Sequence, residues 1–349
     1  MSKLFAPQKI KHLEIKNRIV LPPMVCFTFA GENNFVSEKN IKHYESLAKG
    51  GSGLIIVEAT CVNQNGRLSE GQLGIWDDKY IEGLSKLAEV CHENGTKVVL
   101  QIHHAGIKTP KSVNGDTISS SDFNEGTLSA RAMTMDELRA IQEDFVNAAL
   151  RAERAGFDGV ELHGAHGYLM TQFFSAKINK RIDAYGGSLE NRLRFTMEIT
   201  ECIRKKVNEN FIIGIRMGCN ESDLKTSIDI AKRFEAIGID YLHVSTGFDN
   251  TPITEEVPED FPGNWIVYGA AKIKEEVNIP VIAVNAIKTQ EQAQALIAHN
   301  LVDFVAIGRA QLADYNFVNH IKEGSAVVEC LGCKPCRWFK NGAYCPRHV

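Results

Sequence analysis

Eight short apolar, β-branched runs alternate with helical stretches along this chain, and that alternation restricts its fold more than any other feature. The runs are 18–24 (RIVLPPM), 53–59 (GLIIVEA), 97–102 (KVVLQI), 159–163 (GVELH), 211–217 (FIIGIRM), 240–245 (DYLHVS), 280–284 (PVIAV) and 302–307 (VDFVAI). Most are continuously apolar, as parallel strands covered on both faces must be. Helical periodicity fills 37–49, 78–94, 134–155, 188–208, 222–237, 265–276 and 289–299, with an eighth helix starting near 310. Thr134 with Glu137 and Thr289 with Gln292 have capping-box spacing. Gly50, Gly95, Gly156 and Gly238 stand where a left-handed C-cap is wanted. Strict strand–helix alternation predicts an α/β fold of the (β/α)8 TIM-barrel type. A doubly wound sheet gives a similar string, but no G-x-G-x-x-G follows the first strand. The barrel is expected over 1–325, followed by a cysteine-rich extension over 326–349.

A length of 349 residues suits one barrel, since such folds take about 250 residues before insertions. The net charge of −4, with no long basic run, argues against nucleic acid as a partner. The first residues lack the apolar core of a signal peptide, and no stretch approaches the ~18 apolar residues of a membrane span. A soluble, cytoplasmic protein is expected. Two connections, 103–133 and 246–264, are too long for simple turns. Both follow strands, so both belong on the C-terminal face, where barrel enzymes build their sites.

Reading the strand ends gives Pro22, Pro23 and Met24; Glu58, Ala59 and Thr60; Gln101 and His103; His163; Arg216; Ser245 and Gly247; Val284 and Asn285; Gly308 and Arg309. Any one polar residue here could be a solvated strand end, but their joint occurrence on one face points to a site. In IGRAQLAD, Gly308 permits close backbone approach and Arg309 supplies a cation, which is the usual barrel phosphate position. In HGAHGYL, His163 and His166 can donate two hydrogen bonds to one oxygen, and Tyr168 can supply a proton. A zinc pair or two packed histidines are the plain alternatives; no third ligand accompanies the pair.

These motifs, with NRIVLPPM, GLIIVEA, LQIHHAG, AGFDGVELHGAHGYL and above all NKRIDAYGGSLENRLRF at 179–195, resemble the Old Yellow Enzyme family of FMN oxidoreductases. The resemblance runs from KLFAPQKI to IGRAQLAD. It implies that Pro23, Met24 and Ala59 contact the flavin, and that Gln101 and Arg216 bind its pyrimidine edge. Arg216 would stabilise negative charge near N1 of the reduced ring. Gly308 and Arg309 would hold the FMN phosphate, with Gly247 and Asn285 also on the cofactor. His163 and His166 would anchor a carbonyl oxygen and Tyr168 would donate a proton. NAD(P)H would reduce FMN, leave, and be replaced by an α,β-unsaturated carbonyl compound in a ping-pong cycle. Three positions depart from the family. Val25 stands where many relatives carry Cys or Thr, with Cys26 facing the other way. Asn285 replaces a phosphate-loop glycine, and Phe27 replaces a common tyrosine.

Cys330, Cys333, Cys336 and Cys345 have the spacing C-x2-C-x2-C-x8-C. Four thiolates so arranged can enclose a 4Fe-4S cluster, with zinc as the alternative. The tail resembles that of the larger relatives trimethylamine dehydrogenase and dienoyl-CoA reductase, with Arg337 and Trp338 after the third cysteine. No second nucleotide domain follows in these residues, so a cluster would serve an external electron-transfer protein or staple the barrel. Two further readings therefore stand beside an NAD(P)H-dependent ene-reductase. One is a dienoyl-type reductase or amine dehydrogenase exchanging electrons through the cluster; the other is a non-catalytic, metal-stapled barrel. A homo-oligomer is expected by analogy.

Overall fold

The computed structural model describes residues 2–340 and 344–347. Eight parallel strands close into a barrel in chain order: β1 Ile19–Leu21, β2 Leu54–Cys61, β3 Lys97–His103, β4 Gly159–Gly164, β5 Ile212–Gly218, β6 Tyr241–Ser245, β7 Val281–Val284 and β8 Phe304–Ala306. Outside them lie α1 Glu38–Lys49, α2 Ile81–Glu93, α3 Met135–Arg154, α4 Leu189–Lys206, α5 Leu224–Ala236, α6 Trp265–Lys274, α7 Gln290–Ala298 and α8 Phe317–Glu323. The fold is a (β/α)8 barrel. Among the described residues, no helix is long and apolar enough to cross a membrane.

Local chemistry sets the helix ends. Thr134 and Glu137 form the full reciprocal capping box that starts α3, and its stripe of Leu138, Ile141, Phe145, Ala148 and Ala149 is buried. Thr289 accepts from the Gln292 N–H, but Gln292 Oε1 turns to the amide of Lys288, so only half the box forms. Gly95, Gly156 and Gly238 take φ of +63, +85 and +89, as the C-cap argument requires. Gly50 does not: its φ is −68, and Gly51 takes the left-handed position at +99. Gly50 is needed instead for close approach, since a Cβ there would sit 1.6 Å from the Tyr315 carbonyl oxygen.

Two antiparallel additions are not visible in the alternation. A hairpin of Gln8–Ile10 and Leu13–Ile15 brings Ile10 and Ile15 into the barrel-interior layer with Val20, Leu54, Val99 and Ile212, and so plugs the N-terminal end. The long connection 103–133 is not irregular throughout: Ile118–Ser119, Phe123–Glu125 and Leu128–Ala132 form a small sheet.

Side chains two apart share a strand face. Rising from the apolar interior layer, the inward positions become polar: Gln101 on β3, Glu161 and His163 on β4, Arg216 on β5, His243 and Ser245 on β6. Arg216 lies in register with His163 on one side and His243 on the other. On β2 the register slips between Val57 and Thr60. This bulge brings Ala59 to the barrel mouth and turns Glu58 outward to Tyr44 and Asn40 of α1.

Candidate active site

The barrel mouth opens into a cleft of about 1380 Å³, partly open to solvent. Pro23, Met24, Ala59, Gln101, His163, His166, Tyr168, Arg216, Asn285, Gly308 and Arg309 all line it. Gly247 does not. It lines a neighbouring pocket that shares His166, and its amide donates to Asn220 Oδ1. Val25 lines the cleft, whereas Cys26 is buried behind it, its amide donating to Glu58 Oε2. Phe27 is half-buried in a turn outside the lining.

Arg216 is the electrostatic centre. It is 8% exposed, and its Nε has no partner among the described residues. Burial lowers its pKa to about 10, opposed by the charge of Glu161, so it remains a cation at neutral pH. A buried guanidinium with unused donors at a cleft calls for an electron-rich ligand edge. Glu161 was not singled out in the sequence, although it sits two residues before His163 and so shares its face. Its carboxylate accepts from Gln101 Nε2 at 2.7 Å, contacts His243 Nδ1 at 2.9 Å and accepts from Tyr241 at 3.2 Å. That contact uses one of the two Gln101 amide hydrogens, so the other and the carbonyl oxygen are left to bond a ligand.

Four rings pack on one wall. Tyr168 meets His103 edge-on at 4.5 Å and His163 at 4.8 Å, and His163 meets His166 at 5.1 Å. Burial holds both His163 and His166 well below the usual imidazole range, helped by the neighbouring histidines and Arg216. Both rings are therefore neutral at pH 7, and each has one N–H to give. Burial also raises the Tyr168 pKa, which keeps its proton in place. Lys108, also unremarked in the sequence, donates to the His166 carbonyl at 2.6 Å and lies 5.4 Å from the Tyr168 ring centroid.

At the opposite end, a Cβ on Gly308 would come within 2.9 Å of Met24 Sδ and 3.2 Å of Pro22 Cγ, so the glycine leaves room for the Met24 side chain where it stands. Arg309 and Lys288 bring two cations to it. Asn285 keeps a glycine-like φ of +107, with its side-chain oxygen accepting from Asn264 at 2.7 Å. Asn is among the side chains that tolerate positive φ best. These residues fit a flat heteroaromatic cofactor bearing a phosphate.

The four tail cysteines line a second, much smaller pocket with Arg309, Arg337, Arg347 and Trp338. Among the described residues, no group of three or more His, Cys, Asp or Glu is placed to hold a metal ion. Arg309 and Cys330 line both pockets. Trp338 is buried and docks the tail on the barrel, its Nε1 donating to the Val25 carbonyl at 3.1 Å and its ring against Phe29 and His43.

Known proteins resemble this chain in sequence and in fold. An NADH oxidase of Thermoanaerobacter brockii is 41% identical over 342 residues, covering 95% of this chain and 52% of that protein. The chain thus spans about half the length of that relative. Among solved structures, 2-naphthoyl-CoA reductase in complex with 2-naphthoyl-CoA superposes with a TM-score of 0.89 at 26% identity, covering 98% of this chain and 56% of the other. An Old Yellow Enzyme homologue from Zymomonas mobilis superposes with a TM-score of 0.79 at 26% identity, covering 95% of each chain. A morphinone reductase variant in complex with tetrahydroNAD gives the same TM-score and identity, over 95% of this chain and 93% of that one. Residues 3–327 match the sequence profile of one family, and on that match this chain belongs to the NADH:flavin oxidoreductase / NADH oxidase family.

Proposed function

We propose that this chain is an FMN-dependent oxidoreductase that takes a hydride from NAD(P)H and delivers it to the C=C bond of an α,β-unsaturated carbonyl compound. The observation that carries the proposal is one cleft holding a buried, under-bonded Arg216 and two neutral imidazoles. Bound FMN would supply a reversible hydride store. Arg216 and Gln101 would hold its pyrimidine edge, and Pro23, Met24 and Ala59 would pack against the ring. Gly308, Arg309 and Asn285 would hold the phosphate end. Gly247 is assigned to the rim rather than to the cofactor.

The chemistry of the remaining residues follows. His163 and His166 would each donate an N–H to the substrate oxygen, drawing electrons from the β-carbon. The raised pKa of Tyr168 suits a group that holds its proton until a carbanion forms beside the phenol. One pair of donors cannot serve nicotinamide and substrate together, so the two would occupy the cleft in turn, giving ping-pong kinetics. The complex of morphinone reductase with tetrahydroNAD supports nicotinamide binding in such a cleft.

For the tail we propose a 4Fe-4S cluster on Cys330, Cys333, Cys336 and Cys345. Four cysteines lining one pocket can supply one ligand to each iron, and three arginines beside them suit the cluster's negative charge. Zinc, which takes the same four thiolates, is the alternative. The residues common to both pockets favour a second reading, a dienoyl-type reductase that receives electrons from an external redox protein through the cluster. An amine dehydrogenase fits less well, because imidazole N–H groups suit an oxygen acceptor. A non-catalytic staple gives no role to Arg216. The unpaired, mostly buried scattered cysteines suit a reducing, cytoplasmic compartment.

The test is anaerobic mixing of flavin-loaded protein with NADH and NADPH, followed by 2-cyclohexenone. Bleaching of the flavin band by a pyridine nucleotide and its return with the enone are expected. Bleaching only by a reduced ferredoxin would move the assignment to the second reading, and no bleaching by any donor would end both.

A further inference from the structure

We infer that Ser245 is a positioning residue, which fixes His166 in the one tautomer able to donate into the cleft. This rests on the role proposed above for the histidine pair. His166 has an unusual backbone: its φ is +59, and Gly167 follows at +70. A non-glycine residue keeps such a conformation only where its surroundings over-determine it. Here three contacts do so. The His166 amide donates to the Thr246 carbonyl at 3.0 Å, its carbonyl accepts from Lys108 Nζ at 2.6 Å, and its Nε2 lies 2.7 Å from Ser245 Oγ. The end of β6 thus grips His166 twice, once by backbone and once by ring.

The direction of the last contact follows from Arg216. Its Nη2 lies 3.5 Å from Ser245 Oγ, and a guanidinium only donates. With the oxygen facing Arg216, His166 Nε2 is the acceptor within reach of the single Ser245 proton among the described residues. His166 Nε2 therefore accepts, and the proton of the neutral ring is on Nδ1. His163 is held the opposite way, since its Nδ1 is the atom 3.4 Å from the Ala165 amide and the ring keeps its proton on Nε2. The two imidazoles are thereby locked as complementary tautomers, with His163 Nε2–H and His166 Nδ1–H left for one oxygen. The other His166 tautomer would turn a lone pair toward that oxygen.

Histidine-directed 15N NMR on the flavin-loaded protein tests this directly. One histidine, assigned by its loss in His166→Gln, should show the Nδ1–H pattern. Ser245→Ala should shift that signal to a mixture or to Nε2–H, and Ser245→Thr, which keeps the hydroxyl, should restore it. The dissociation constant for 2-cyclohexenone, read from the flavin band, should rise about tenfold in Ser245→Ala, the size of one lost neutral hydrogen bond, and recover in Ser245→Thr. An Nε2–H signal for His166 in the unmodified protein overturns the inference without any variant. Failure of the unmodified protein to bind the enone, with the tautomer as assigned, would instead count against the proposed function.

Discussion

Glu58 shows how a residue behind the cofactor wall can set a property of the whole chain. It is buried behind the bulge, and burial pushes its pKa up to about 7 despite hydrogen bonds from the Cys26 amide, Tyr44 and Asn40. Its folded pKa lies above its unfolded one, so the folded state binds more protons between these values. Stability from this group is therefore greatest below about 4.5 and declines as pH rises to about 7. The span corresponds to roughly 3 kcal/mol. His103 acts in the opposite sense: burial lowers its pKa to about 3, so its contribution weakens as pH falls below the usual imidazole range. Glu58→Gln keeps the acceptor for the Cys26 amide and removes the titration. In thermal melts from pH 4.5 to 8, this variant should gain on the unmodified protein as pH rises, by an amount that levels off above about 7. A constant offset at every pH would refute the assignment. The sequence shows Glu58 only as a strand-end residue, and simple alternation from Leu54 and Ile56 would turn it inward. The bulge that reverses this depends on pairing with β3, which no local pattern records.

At the scale of elements, legibility follows how local the cause is. The α3 capping box needs only Thr134 and Glu137, and was readable. The Gly50 conformation depends on Tyr315, 265 positions away in the chain, and was not. The hairpin at residues 8–15 is too short for periodicity to reveal. The helix Leu169–Phe174 is buried throughout, Thr171 and Gln172 included, so no exposed face marks it. The tail is a similar case: the cysteine spacing stands out in the sequence, but nothing in it says that Trp338 reaches the Val25 carbonyl beside the cleft. That contact ties the tail to the loop after β1. Trp338→Ala removes a buried ring from a terminal element, so the damage should be local. The expected outcome is rapid protease cleavage within residues 325–347 and faster loss of bound FMN, with the melting temperature of the barrel changed by no more than a few degrees. A resistant tail with unchanged flavin release would show that the contact does not hold the loop.

On the scale of the whole molecule, the barrel divides its work along its axis. The lower interior is filled by Tyr241, which occupies the space a side chain at Gly214 would take, and by the apolar layer around it. The upper interior carries the buried polar groups. A run of β-branched residues ending in Gln, His or Arg records both halves, which is why the strand ends could be read before the fold was known. What that pattern leaves out is how far the two halves are independent, and ligand linkage measures it. Arg309 is exposed on the cleft wall, so replacing it should change the cofactor-free protein by less than about 0.5 kcal/mol. FMN at a hundred times its dissociation constant stabilises the folded state by about 2.7 kcal/mol. With an unfolding entropy near 2.1 cal/mol/K per residue, that raises the melting temperature of a chain this size by roughly 4 °C. If Arg309 contributes about 2 kcal/mol to phosphate binding, as a charge-assisted contact can, Arg309→Ala at the same FMN concentration should keep only about 1 °C of that shift. Differential scanning calorimetry with and without FMN reads both numbers. An equal shift in the two proteins would take the phosphate away from Arg309, and a lower melting temperature of the variant without FMN would show that the upper layer also helps to hold the barrel.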